Sequence, residues 1–170
     1  MRIRRPSPAL AITAALLLGV PCAALAALPH PASHRIVPGR SIGGVRIGQT
    51  TAAARAAWGP GWTCINTVSG TCSWITIRDG VASLQLQAGR VAQIAIAAGS
   101  SAAAPRFDGP LAALRTASGI GIGSTKDQVR GAYPRVRSTG RELLLVTKGR
   151  VTAFYLVTDR VARVTIRRRR

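Results

Sequence analysis

The chain has 170 residues, of which 47% are hydrophobic and 4% aromatic, and 24 basic against five acidic residues give it a net charge of +19. A hydrophobic fraction this high excludes a wholly disordered chain. Scarce aromatic side chains argue against a stacking platform for single-stranded nucleic acid. The charge favours contact with anionic polymers or lipid surfaces, although an arginine-rich solvated surface would give the same numbers.

Residues 1–26 have the pattern of a secretory signal peptide. A basic start precedes an apolar run over 9–20, and the Ala-Leu-Ala site at 24–26 predicts cleavage before Ala27. Pro21 makes the apolar run too short for a membrane-spanning helix, so an uncleaved anchor is the weaker alternative. Cleavage would leave 21 basic and five acidic residues, a net charge of +16.

The first folded unit begins with a short strand and a helix. Residues 42–47 alternate weakly and predict the strand, after which Gly48 permits a tight turn. The hydroxyl of Thr50 can cap a helix over Thr51–Trp58, and the Gly-Pro-Gly sequence at 59–61 ends it. A three-strand antiparallel meander should follow, with strands over 73–78, 81–87 and 91–97.

Cys64 and Cys72 are the two cysteines that remain once the leader is removed. An even pair in an oxidising compartment predicts a disulfide. Closing so short a loop should contribute roughly 2 to 3 kcal/mol. A metal site would need further ligands, and His30 and His34 lie in the proline-rich lead rather than near the cysteines, so we expect no metal.

The same order of elements recurs about 75 residues later. The stretch 44–59 matches 119–134 in a Gly-apolar-x-apolar-Gly-x-Thr motif and in the helix-like run behind it. Thr125 and Gln128 have capping-box spacing ahead of a helix over 126–133. Strands of a second meander are expected over 142–147, 151–157 and 161–166. The repeat predicts an α+β fold of two tandem units, each a short helix packed on an antiparallel β-meander.

These elements divide the chain into five segments. They are the signal peptide 1–26, a flexible lead 27–40, the first repeat unit 41–98, a linker 99–118, and the second repeat unit 119–170 with a basic C-terminal tail. The region 106–170 holds 15 basic and four acidic residues, so most of the positive charge lies in the second half.

Alternation along the strands sorts the two faces of the sheet. The core face should contain Leu84, Leu86, Ile94, Ile96, Phe154, Leu156, Val164 and Ile166. The opposite, open face should contain Ser83, Gln85, Gln87, Gln93, Tyr155, Arg163 and Thr165, together with Trp74. An open face of this kind can bind a partner or be an ordinary solvated surface. The candidate binding residues are Trp74, Gln85, Tyr155 and Arg163 on this face and Arg167, Arg168, Arg169 and Arg170 in the tail.

The leader, the tandem repeat, the glycine-rich lead into a short helix and the meander together resemble the β-lactamase-inhibitor-protein fold. The matching segments are 44–58 and 119–133. The same lead and helix are similar to the small lipoprotein of the outer-membrane barrel-assembly machine. The first resemblance implies two helix-plus-four-strand units whose concave sheet contacts another protein.

The sequence therefore predicts a secreted, periplasmic or cell-envelope protein that binds and does not catalyse. The repeats contain no histidine, the acids are scattered, and Ser124 with Lys126 is a near pair whose side chains should diverge. The glycines at 119–123 match those at 44–48, which favours a structural turn over a nucleotide site. We expect no cofactor and an extracytoplasmic protein as partner. The alternative is an anionic polymer or lipid surface held by the charge of the second unit.

Overall fold

A computed structural model describes residues 31–76, 79–100 and 104–169. The expected signal peptide and Arg170 lie outside these ranges. The strands are β1 Ile36–Val37, β2 Ser41–Ile42, β3 Val45–Arg46, β4 Thr63–Cys64, β5 Thr71–Thr76, β6 Gly80–Gln87, β7 Arg90–Ala97, β8 Gly99–Ser100, β9 Pro105–Arg106, β10 Arg137–Thr139, β11 Glu142–Thr147, β12 Arg150–Val157 and β13 Arg160–Arg168. The helices are α1 Thr51–Trp58 and α2 Lys126–Ala132, with a 3-10 turn at Pro110–Ala113. The α+β class is confirmed.

Both helices begin at the threonines that the sequence selects. The hydroxyl of Thr50 accepts from the N–H of Ala53 at 3.3 Å. In α2 the Thr125 hydroxyl accepts from the N–H of Gln128, whose side-chain oxygen accepts from the N–H of Thr125, which completes the capping box. The bounds of α1 are as expected, and α2 ends one residue early because Tyr133 leaves helical geometry. Within the described ranges, no helix has the length and apolar character to cross a membrane.

Eight strands form one antiparallel sheet in the order β10-β11-β12-β13-β7-β6-β5-β4. The central pair is β13 with β7, the last strand of each meander, and Thr165 lies opposite Ala95 in its middle. The six predicted meander strands are confirmed to within two residues at their ends, apart from positions 77 and 78, which lie outside the described residues. A bulge interrupts the register after Gln85 in β6 and after Tyr155 in β12.

The core lies on one face of this sheet. Every side chain predicted for the core face is at most 7% exposed, so the predicted core face is confirmed for these residues. The small sheet β1-β2-β3 and the two helices contribute to the same core, through Ile36, Ile42, Trp58 and Val129 among others. At the end of α2, the ring of Tyr133 stacks on that of Phe154 at 6.0 Å.

Trp74 lies in the core, not on the open face, so this sequence prediction was wrong. Its position in β5 pairs with Ala82, which pairs with Ile96, and the register therefore puts it on the core side. The side chain is fully buried between Trp58, at 5.1 Å edge to face, and Trp62, stacked at 4.7 Å. Its indole N–H donates to the carbonyl of Pro60 at 3.4 Å.

Three connecting segments are more ordered than the sequence indicated. The expected strand 42–47 is a hairpin, because Gly43 and Gly44 have positive φ and reverse the chain between β2 and β3. The lead 27–40 contains β1, where Ile36 is 1% exposed. The linker 99–118 contains two short strands and a 3-10 turn, and it buries Leu111 and Leu114. The sequence does not predict this order because isolated apolar residues in short segments give no periodic signal.

Two turns ahead of the helices make the same contacts. The N–H of Gly48 donates to the carbonyl of Val91 at 2.7 Å, and that of Gly123 donates to the carbonyl of Val161 at 2.8 Å. Each glycine has a φ close to +90°, which only glycine adopts readily. The turn before each helix is thus bonded to the first residues of the last meander strand.

Candidate functional site

A row of short side chains crosses five strands on the face of the sheet that points away from the core. The register aligns Ser73, Ser83, Ala95, Thr165 and Ala153 side by side. Strands lie about 4.8 Å apart, so the row is about 19 Å long. Ala95 and Ala153 are only 7% and 4% exposed because taller neighbours stand on both sides of them.

Taller polar side chains form two walls beside this row. One wall aligns Gln85, Gln93 and Arg167, and the other aligns Tyr155 with Arg163. The two arginines are four residues apart on β13, a separation of about 13 Å. A depression of about 420 Å³, which we call the transverse groove, lies over the middle of this row. It is lined by the floor residues Ser83, Ala95, Thr165 and Ala153, by Gln93, Arg163 and Arg167 of the walls, and by Glu142 of β11.

Two arginines, Arg163 and Arg167, and one glutamate, Glu142, line the groove, so its lining carries a net positive charge. The guanidinium of Arg163 lies 5.0 Å from the ring centre of Tyr155, a cation–π distance that fixes its position over the wall. Arg163 is exposed and Arg167 half-buried. Within the described residues, neither guanidinium has a carboxylate oxygen within 4.0 Å. Both can therefore take up an external carboxylate or phosphate.

An ion pair outside the groove, between Arg106 and Asp108, lowers the pKa of its carboxyl group. Arg106 donates to both carboxylate oxygens of Asp108, at 3.3 and 3.2 Å. The hydrogen bonds from Arg106, followed by a backbone hydrogen bond and the positive charge, lower the pKa of Asp108 below its ordinary value. Both side chains are exposed, so solvent screens the pair and its effect on stability is small.

The predicted site residues separate into three groups. Gln85, Tyr155 and Arg163 lie on the walls of the groove, as does Arg167. Trp74 belongs to the core. The run expected to be a basic tail continues the sheet instead: Arg167 and Arg168 are the last residues of β13, and the N–H of Arg169 donates to the carbonyl of Gly149 at 3.0 Å.

The disulfide between Cys64 and Cys72 is confirmed. The cysteines are opposite each other in β4 and β5, and they close the loop 65–71, which we call the stapled loop. Ile65 is 90% exposed in this loop and Val68 is 60% exposed. The cysteine pattern predicts the covalent bond but not the exposure of Ile65 and Val68, for which two aliphatic residues in an otherwise polar loop are the sequence signal.

A second, larger depression of about 910 Å³ lies between α2 and the turn before it. The hydroxyl of Ser124 accepts from the N–H of Gly121 and from Arg115, each at 3.1 Å. The ammonium of Lys126 is instead 3.9 Å from a carboxylate oxygen of Asp159. Among the described residues, no group of three His, Cys, Asp or Glu side chains could hold a metal ion.

No protein-family model matches the chain, and no curated protein sequence matches it significantly. Among solved structures, an extracellular protein containing an SCP domain from Bacillus anthracis str. Ames matches with a TM-score of 0.47 and 14% sequence identity. The match covers 72% of this chain and 44% of that protein. A likeness this remote supports no conclusion about the chain.

Proposed function

We propose that the chain is a secreted, non-enzymatic binding protein whose transverse groove takes an extended, acidic segment of another extracytoplasmic protein. One observation supports this above all: a floor of short side chains crosses the sheet between Arg163 and Arg167. The row of short side chains, about 19 Å long, matches roughly six residues of extended chain. The floor admits a backbone, and the walls reach its side chains.

The wall chemistry favours carboxylates in the bound segment. Guanidinium groups form paired hydrogen bonds with carboxylates, and these charge-assisted bonds are roughly twice as strong as neutral ones. Gln85 and Gln93 add neutral donors and acceptors for the backbone of the segment. The net charge of +16 that remains after removal of the leader would also draw an acidic partner toward this surface before contact.

We further propose that the two halves are copies of one unit, as the sequence repeat suggests. The contact of Arg90 with the carbonyl of Gly48, at 3.1 Å, recurs as that of Arg160 with Gly123, at 3.0 Å. The bulges after Gln85 and Tyr155 are also equivalent, since these positions differ by the same 70 residues as Ala95 and Thr165.

This duplication would place an approximate twofold axis through the middle of the groove. Ala95 and Thr165 are equivalent in sequence and lie opposite each other, and Ser83 and Ala153 flank them symmetrically. The groove is then a product of joining the two units, because Ser83 and Ala95 of its floor come from the first unit and Ala153 and Thr165 from the second. A single unit would have no complete groove.

Secretion and the lack of catalysis are parts of the same proposal. The leader pattern in the sequence and the Cys64–Cys72 bond support an oxidising compartment. Ser124 and Lys126 point to different partners, so they do not form a nucleophile with its base.

The groove can be tested with substitutions on its walls and floor. A partner isolated from the extracytoplasmic fraction with the secreted protein would be identified, purified and measured by titration calorimetry. Arg163→Gln and Arg167→Gln should each weaken binding about tenfold or more, because each removes a charge-assisted bond. Ser83→Gln should weaken it by filling the floor. Arg46→Gln, which changes an exposed arginine of β3, is the control. If all three groove variants bind like the parent protein, the groove is not the site.

A second candidate is an anionic polymer bound along the end of β13. The observation that favours it is that Arg167 and Arg168 continue a strand, so their side chains point to opposite faces. Heparin can serve as the probe. Polymer binding should weaken steeply with salt, and Arg168→Gln should flatten that dependence. Ser83→Gln should leave heparin binding unchanged, which separates this candidate from the groove.

A further inference from the structure

The stapled loop lies in the longest uncharged stretch that follows the predicted leader in a strongly basic chain. No Lys, Arg, Asp or Glu occurs between Arg55 and Arg78, a run of 22 residues. The cations that would hold an anionic polymer or an anionic lipid surface are thus missing from this stretch. Any contact made here must depend on apolar burial and on neutral hydrogen bonds.

Two aliphatic side chains of this loop are exposed to solvent. Ile65 is 90% exposed and Val68 60%, and they account for two of the four large exposed hydrophobic side chains of the described residues. Before the loop in the chain, Trp62 stacks on buried Trp74, and the guanidinium of Arg55 lies 5.9 Å from the ring centre of Trp62. The loop therefore exposes two apolar side chains and follows an anchored aromatic residue in the chain.

The loop is held in one shape by bonds at several points. The side-chain oxygen of Asn66 accepts from the N–H groups of Val68 and Ser69, at 2.8 and 3.2 Å. The carbonyl of Val68 accepts from Gly89 at 2.7 Å, and that of Gly70 accepts from Leu86 at 2.8 Å.

The close packing of Gly70 fixes the loop further. A Cβ at Gly70 would lie 2.6 Å from the carbonyl oxygen of Asn66, so the two backbones are in close contact. With the disulfide, these bonds mean that little conformational entropy remains to be lost when the loop binds.

We infer that the stapled loop is a second contact surface, which inserts Ile65 and Val68 into an apolar cleft of a folded partner protein. Rigid, branched aliphatic side chains on a preorganised loop fit such a cleft with a small entropic cost. This inference rests on the proposal that the chain binds another protein, and it does not depend on the transverse groove. Contact through the loop should be insensitive to salt, unlike contact through the groove arginines.

The test places a photo-cross-linking amino acid at position 65, and separately at position 163, in the secreted protein. Each form is irradiated in the extracytoplasmic fraction, and the cross-linked protein is identified by mass spectrometry and purified. Its affinity is then measured for the parent chain, Ile65→Ser, Val68→Ser and the control Val37→Ser, which changes an aliphatic residue that is 40% exposed in β1.

We expect Ile65→Ser and Val68→Ser each to weaken binding about ten- to hundredfold, since each removes the burial of a branched aliphatic side chain. Val37→Ser should bind like the parent chain. Asn66→Ala should weaken binding about threefold to tenfold by loosening the loop. The losses should be equal in about 50 and 500 mM salt. Melting curves of Ile65→Ser and Val68→Ser should match that of the parent chain because both side chains are exposed.

Three results would overturn the inference. The first is a cross-link at position 163 without one at 65, which leaves the groove proposal standing. The second is Ile65-dependent binding to vesicles of equimolar phosphatidylcholine and phosphatidylglycerol, which would make the loop a membrane contact. The third is a dimer in analytical ultracentrifugation that Ile65→Ser abolishes. Cross-links at neither position would instead reject the proposed function as a whole.

Discussion

Replacing Gly48, Gly123 or Gly131 by alanine, one at a time, distinguishes the stability cost of backbone strain from that of close packing. The first two glycines have φ values of +90° and +86°, in the turns ahead of α1 and α2. The third lies inside α2, where an added Cβ meets no atom within 4 Å. The same added methyl group therefore enters three environments in one chain.

The magnitudes follow from those environments. A left-handed backbone costs an L-residue roughly 1–2 kcal/mol. Replacing glycine by alanine also lowers the conformational entropy of the unfolded chain, which offsets about 0.4–1 kcal/mol of this cost. At Gly48 no atom lies within 4 Å, so we expect a net loss of about 1 kcal/mol. At Gly123 the Cβ of Phe107 is 3.2 Å away, and the loss should reach about 2–3 kcal/mol. Gly131→Ala should stabilise by about 0.5–1 kcal/mol, the helix propensity difference.

Urea unfolding of the three variants, followed by far-ultraviolet circular dichroism and analysed by linear extrapolation, measures these differences. The expected order of stability is Gly131→Ala, parent, Gly48→Ala and Gly123→Ala. Equal stability of the Gly48 and Gly123 variants would show that the Phe107 contact is unimportant. Parent-like stability for both would refute the assignment of these turns as strained and glycine-dependent.

Three further predictions concern stability and protonation. Trp74→Ala should cost about 3–5 kcal/mol in urea unfolding, because it empties a fully buried site between two other indoles, and a surface position for Trp74 would instead give almost no change. Thr158→Asn should stabilise by about 0.5–1 kcal/mol, because a β-branched residue now occupies a φ of +48° that asparagine tolerates better, and an unchanged melting temperature would contradict this. An NMR titration should find the pKa of Asp108 below the ordinary aspartate value, and Arg106→Gln should raise it toward that value. Since the folded-state pKa is lowered, the small stabilisation from this pair is present above the ordinary aspartate pKa and is lost as the pH falls through the lowered one.

The parts of the fold that the sequence predicts are those with a local physical cause. Thr50 and Thr125 mark the helix starts because a hydroxyl before a helix has an unpaired N–H to bond. The hairpin turns at Ala88 and Lys148, each followed by a glycine, end strands because both central residues have positive φ. Alternation between these turns is then enough to identify the core face.

Other features depend on contacts between distant segments, which the sequence pattern does not contain. Trp74 was placed on the wrong face because the phase of β5 is set by pairing with β6 and by the indole of Trp58, not by local alternation. The groove floor could be listed as open-face residues, but its depth depends on the pairing of β13 with β7. The exposure of Ile65 follows from a loop shape that Asn66 and Gly70 determine.

The proposed duplication explains why the two candidate surfaces lie where the halves differ. Contacts that recur, such as those of Gly48 and Gly123, maintain the turn, helix and sheet in both units. The stapled loop has no counterpart of equal length in the second half, since the offset between matching positions falls from 75 to 70 residues across it. On the groove walls, Gln93 of the first half corresponds to Arg163 of the second, so the positive charge is concentrated on one side of the approximate axis. If the duplication and both surfaces are as proposed, the two asymmetric additions would let a partner bind in only one orientation. The loop would supply apolar, salt-insensitive affinity, and the groove would supply selection for acidic side chains.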